Sequence, residues 1–155
     1  MNIFVLDENP KQASIWYFDR HTCKMIIETA QLLCLAHTQT GGTAPYMGNG
    51  FKNHPCAIWT RQSINNYRWL CELGLALCKE YSYRYGKIHK TEQHLVWLKN
   101  NEPKLPDIPR TNFVQAMPDD VKDDNAIVAY RNYYIKYKKH LAKWKNRDVP
   151  IWYAI

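Results

Sequence analysis

The sequence predicts an all-α fold: a single compact domain over residues 1–155, with four to six helices, a long central helix and irregular proline-rich connections. Three observations predict it. Apolar residues recur at spacings of three and four along most of the chain, the period of a helix face. Nothing alternates with period two over a useful length, so at most one pair of strands is expected. The 155 residues match one domain, and 46% hydrophobic with 23% charged residues is a globular balance that excludes disorder.

The elements follow in order. Residues 2–6 are an apolar run, extended or the start of a packed arm. Pro10 opens a helix at its first position, and the helical pattern continues to about Thr38 with a kink near residues 19–20. Cys23, Ile26, Ile27, Ala30, Leu33, Cys34 and His37 form its buried stripe, while His21, Lys24, Glu28 and Gln31 share the opposite, polar face. Residues 40–50 hold four glycines and a proline and read as a loop. Asn53-His54-Pro55 starts the next helix, with Asn53 or His54 as cap.

Ser63 caps a long helix that ends at Gly86. Ile64, Tyr67, Cys71, Gly74, Cys78, Tyr81 and Tyr85 mark one face, and Leu70, Leu73 and Leu77 cover another, so this helix is central. Thr91 opens a short helix through Leu98. Pro103, Pro106 and Pro109 make residues 101–111 irregular and extended, and Met117-Pro118-Asp119-Asp120 reads as a turn. A last helix is expected over residues 124–145, with Ile127, Tyr130, Tyr134, Tyr137, Leu141 and Trp144 inward. The apolar tail, residues 150–155, should pack back.

Charge is concentrated. Residues 131–147 hold seven bases and no acid, and the remainder carries 14 bases against 14 acids. Tyr133, Tyr134, Tyr137 and Trp144 are interleaved with those bases. Bases and aromatics on one element suit a phosphate backbone, and they also suit a solvated helix face. Aromatic content of 14% favours the nucleic-acid reading. Double-stranded DNA is therefore the expected partner, with Arg131, Lys136, Lys139 and Lys143 on its backbone. No membrane span is expected, because no stretch approaches 18 apolar residues. No export signal is expected either, since Asp7 and Glu8 interrupt the opening run. The five cysteines contain no C-x-x-C and read as reduced thiols of a cytoplasmic protein. A monomer with no obligate protein partner is expected.

Phosphate-binding, dinucleotide-binding and nucleophile-elbow motifs are all missing. His21-x-Cys23, Cys34-x-x-His37 and His54-x-Cys56 bring metal-type ligands close in sequence. On a helix, however, His21 and Cys23 point about 200° apart. No metal and no cofactor are assigned. The remaining constellation is the face with His21, Lys24, Glu28 and Gln31. A carboxylate between a cation and an imidazole can act as a general acid or base, and the same residues suit an ordinary exposed face with a Lys24–Glu28 pair.

These residues carry a resemblance. Asp19-Arg20-His21 followed by Glu28 resembles the Asp-Gln-His and catalytic Glu of the phage-type pyrimidine-dimer DNA glycosylase/AP lyases, also called phage endonuclease V. Lys24-x-x-x-Glu28-x-x-Gln31-Leu32-Leu33 is similar to a cellular branch of that superfamily. So is Asn53-His54-Pro55 with Trp59 after it. Met117-Pro118-Asp119-Asp120 and Pro150-Ile151-Trp152-Tyr153 are similar to its closing segments. The resemblance implies an enzyme acting on a damaged or modified, pyrimidine-type base without a cofactor. Its nucleophile would be the N-terminal amine, of Met1 or of Asn2 if Met1 is removed, and Glu28 its catalytic carboxylate. His21, Arg20, Lys24, Gln31, Asn53 and His54 would lie on the substrate side.

The sequence departs from that pattern at three places. Asn2 stands where the family has a small Thr, and a residue of that size keeps its Met as a rule. Ile3 and Ile27 stand where the family has arginines, so the groups that grip a dimer are mostly absent. Two other readings stay open. One is a base-modification enzyme, a transferase on a flipped modified base, built on the same scaffold. The other is a non-catalytic DNA-binding protein in which Glu28 is structural.

Overall fold

A computed structural model describes residues 1–153. The fold is all-α. Its helices are α1 (Pro10–Trp16), α2 (Asp19–Thr38), α3 (Pro55–Gln62), α4 (Ile64–Tyr85), α5 (Glu92–Asn100) and α6 (Ala126–Tyr137). Short 3-10 turns occupy Asp119–Val121 and Lys139–Leu141. Among the described residues there is no strand, and no helix is long and apolar enough to cross a membrane. The expectation for Ala154 and Ile155 lies outside the described residues.

The kink expected near residues 19–20 is a full break. Tyr17 and Phe18 are extended, with ψ of 139° and 152°. Two large aromatic side chains leave the helix there to enter the core, both almost fully buried. Phe18 stacks on Tyr134 at 4.0 Å. The freed carbonyls find a partner in Arg84 of α4, whose buried guanidinium donates to Ile15 O and Tyr17 O. The same group pairs with Glu80 at 2.8 Å and with Asp19 at 3.0 Å, and Arg147 adds a second cation to Glu80. Buried charges of this kind are tolerable only when each hydrogen bond is satisfied.

α2 packs against α4, and Gly74 permits the approach. A Cβ there would meet Leu95 Cδ2 at 2.9 Å and Thr29 Cγ2 at 3.0 Å. Ser63 caps α4 through the Asn65 N–H, and Gly86 ends it at φ +68°. The proline-rich strap after α5 lacks regular partners, so side chains of α3 and α4 supply them. Trp59 donates to Asn112 O, Ser63 and Asn65 to Ile108 O, and Asn66 brackets Thr111.

The last helix is shorter than expected, ending at Tyr137 rather than near residue 145. Three consecutive polar contacts explain the stop. Lys143 O accepts from Asp19 N, Lys145 N donates to Asp19 Oδ1, and Trp144 Nε1 donates to Trp16 O. The basic segment is thus pulled out of helical register to cap the start of α2 and the end of α1. Tyr130 and Tyr134 face the core as expected, whereas Tyr137 is exposed. Four cysteines are buried and Cys23 half-buried, all as free thiols.

Candidate functional site

The amino-terminal arm runs as an extended segment against α2. Ile3, Phe4, Val5 and Leu6 are buried. An extended strand that finds no sheet must satisfy its backbone elsewhere. Phe4 N donates to the Tyr17 hydroxyl, which donates back to Phe4 O, and Arg131 Nε donates to Leu6 O. Asn2 is a hub: its Nδ2 donates to Ala116 O, and its Oδ1 accepts from Ile3 N and the Tyr130 hydroxyl.

This arm covers the polar stripe of α2 at two points. The Phe4 ring stacks on His21 at 4.3 Å. The α-amino nitrogen of Met1 lies 3.2 Å from Glu28 Oε1. The spacing is geometric. Three extended residues span about 10 Å, and the two helical turns from His21 to Glu28 rise by a similar distance. The arm therefore runs antiparallel to α2 in matching steps. The Met1 side chain is 3% exposed and that of Glu28 13%, and Glu28 Oε2 is buried without a hydrogen-bond partner.

His54 and Cys56 complete the surroundings. His54 Nδ1 accepts from Cys56 N, capping α3, which leaves the neutral ring with its proton on Nε2. Burial lowers the His54 pKa, the Met1 amine lowers it further, and Glu28 opposes them. Burial pushes the Cys56 thiol up to about 11, and its Sγ lies 3.6 Å from Asn2 Oδ1. A cationic amine, a carboxylate, a neutral imidazole and a protonated thiol thus share one corner between the arm, α2 and α3. Neither of two surface hollows, of about 540 and 340 Å³, is lined by Met1, Glu28 or His54; both border Phe113 and Gln115.

The residues expected to share the polar stripe divide. His21 is 5% exposed, bonded through Nδ1 to the Tyr134 hydroxyl at 2.8 Å, with its pKa pushed down to about 3 by burial. It sits in the aromatic core and holds the arm. Arg20, Lys24, Gln31 and Asn53 are exposed. Ile27, expected in the buried stripe, is 42% exposed. The basic residues divide too. Arg131 is held by Leu6 O, Asp7 and the rings of Trp16 and Trp152. Lys136 pairs with Asp120, which also accepts from Tyr137. Lys139 and Lys143 are exposed, with no ion pair among the described residues.

Sequence reasoning missed Cys56 and Tyr130 as parts of this corner. The His54-x-Cys56 spacing was the available signal, but its physical content is a helix cap followed by a core thiol. Among the described residues no three His, Cys, Asp or Glu side chains are placed to share a metal ion. Set against family models, curated proteins and solved structures, the chain finds no match.

Proposed function

We propose that this chain is a DNA-acting enzyme of the glycosylase/AP lyase type, with the Met1 α-amine as nucleophile and Glu28 as the group that moves protons. The observation that carries this reading is the 3.2 Å approach of the Met1 nitrogen to Glu28 Oε1. An amine nucleophile needs an adjacent base to take its proton and a fixed geometry for attack. Asn2, the Phe4–His21 stack and Arg131 supply the fixed geometry.

The chemistry is as follows. Glu28 takes a proton from the amine, and the nitrogen attacks C1′ of an extruded nucleotide. The N–C1′ bond forms as the bond to the base breaks, and the base departs with the proton that Glu28 took from the amine, which returns Glu28 to its carboxylate form. The C1′–O4′ bond then opens, O4′ takes a proton from the attached nitrogen, and a protonated Schiff base results. Loss of a C2′ proton, with Glu28 in reach as acceptor, then expels the 3′-phosphate. Lys139 and Lys143 hold the phosphate backbone of duplex DNA.

The substrate is read as a single damaged or modified base rather than a dimer. Ile3 is buried and Ile27 is an exposed apolar side chain, so neither position offers a cation to a bulky anionic lesion. The test is borohydride trapping on a duplex with one abasic site, followed by intact mass and peptide mapping. A covalent adduct on the amine of Met1 is expected. No adduct, with duplex binding retained, would turn the reading to the base-modification or binding-protein alternatives.

A further inference from the structure

Between α2 and α3 the chain forms a loop with apolar side chains at its tip. Phe51 is 65% exposed and Met47 56% exposed. Phe51 also has φ +64°, the left-handed region that a bulky L residue rarely enters. Among the described residues the other non-glycine with positive φ is Asn146, a type that tolerates it. Phe51 is thus held against two preferences at once, that of its ring for burial and that of its backbone for negative φ. Such outliers gather at ligand sites.

The backbone of the loop leads into the start of α3, next to the reacting corner. Phe51 O accepts from His54 N at 2.9 Å, His54 Nδ1 accepts from Cys56 N, and Cys56 Sγ lies 3.6 Å from Asn2 Oδ1 in the arm. Arg61 Nη1 donates to Lys52 O at 2.7 Å, tying the backbone just after Phe51 to α3. Both bases flank the tip. No acid occurs between Glu28 and Glu72, so the whole segment is free of negative side chains. Gly48 and Gly50 have nothing within contact of an added Cβ, which leaves room for the loop to adjust. An apolar tip between cations suits a base stack bordered by phosphates.

We propose that Phe51 is an intercalating wedge for duplex DNA. Its ring enters the base stack and fills the space left by the extruded nucleotide, while Lys52 and Arg61 meet the flanking phosphates. The proposal rests on the reading that the Met1–Glu28 corner acts on an extruded nucleotide. Extrusion needs something to occupy the vacated step, and a wedge offsets part of the lost stacking.

The experiment uses the full chain and two probes: a duplex with an abasic site beside 2-aminopurine, and a single strand with the same abasic site. The unmodified chain should raise 2-aminopurine emission in the duplex. Phe51→Ala should lose that rise and slow duplex adduct formation at least tenfold. Phe51→Leu should keep both, because apolar volume and not aromaticity fills the step. All three should trap the single strand at one rate and show one salt slope, since no stack is opened there and no phosphate contact is lost. Equal emission and duplex trapping for Phe51→Ala, or no emission rise with the unmodified chain, would overturn the wedge. An emission contrast between Phe51→Ala and Phe51→Leu without any adduct would keep the wedge and remove the amine mechanism.

Discussion

Phe4 stacks on His21 at 4.3 Å and 21° between ring planes, and that contact sets the register of the residues before it. With Phe4 seated over the first turn of α2, the extended arm carries the Met1 nitrogen to Glu28. Phe4→Ala removes a buried ring from a cluster that also includes Tyr17, Tyr130 and Tyr134. The expected loss is about 3–5 kcal/mol in urea unfolding. Borohydride trapping should fall with it even though Met1 and Glu28 are both retained. Full trapping by folded Phe4→Ala would show that the stack does not position the amine.

His21 makes stability pH-dependent. Burial pushes its pKa from 6.5 down to about 3, with Lys138 and Lys24 acting in the same direction. Between those values the unfolded chain binds a proton that the folded chain refuses. Stability is therefore full above pH 6.5 and falls as pH drops, by up to about 1.4 kcal/mol per pH unit from this group. His37, His54 and His89 are lowered too and steepen the fall. His21→Phe keeps a ring against Phe4 and removes one titration. Urea midpoints measured from pH 6.5 to 4 should then lose about one proton of slope; an unchanged slope would assign the dependence to other groups.

The basic segment predicts two different phenotypes. Replacing Lys139 and Lys143 by Ala should weaken duplex binding for all sequences alike and shallow the salt slope by roughly two. It should leave unfolding unchanged within about 0.5 kcal/mol, since both side chains are exposed. Arg131→Ala should do the reverse. It frees Leu6 O and removes the cation between Trp16 and Trp152, so it should cost stability and leave the slope nearly unchanged. Equal salt slopes for the unmodified chain and the double lysine variant would mark the lysines as a solvated face.

Helical periodicity made most of the fold legible. The three-and-four spacing of Ile64 through Tyr85 marked α4 to within a residue at each end, because its apolar stripe is continuous and Ser63 and Gly86 cap it locally. Periodicity failed where a contact from distant sequence overrides it. Residues 138–145 continue the apolar spacing of α6, yet Asp19 draws their backbone away. His21 and Glu28 lie on one face of α2, and sequence spacing could say that much. It could not say that the arm would seat an aromatic ring on one and an amine beside the other. The role of Arg131 was hidden for the same reason, since its partners Leu6, Trp16 and Trp152 are spread over the chain.

The most direct test of the corner is Glu28→Gln. Gln keeps the volume and one acceptor oxygen, so the amine still has a neighbour at the Oε1 position. It cannot take a proton from the nitrogen or from C2′. Loss of a positioned base costs roughly 10²–10⁴ in rate, so trapping on abasic duplex should fall by at least about a hundredfold. Duplex affinity and its salt slope should not move, because the exposed lysines are untouched. Stability should fall, since the neutral amide leaves the Met1 ammonium without its ion-pair partner, so trapping is compared under conditions where the variant is shown to be folded. Acetylating the Met1 amine should reproduce the loss of trapping by a separate route, because an amide nitrogen is not nucleophilic. The pair of results separates chemistry from folding. If Glu28→Gln or the acetylated chain traps abasic DNA at the original rate, the contact between Met1 and Glu28 is an ordinary buried ion pair and the nucleophile lies elsewhere.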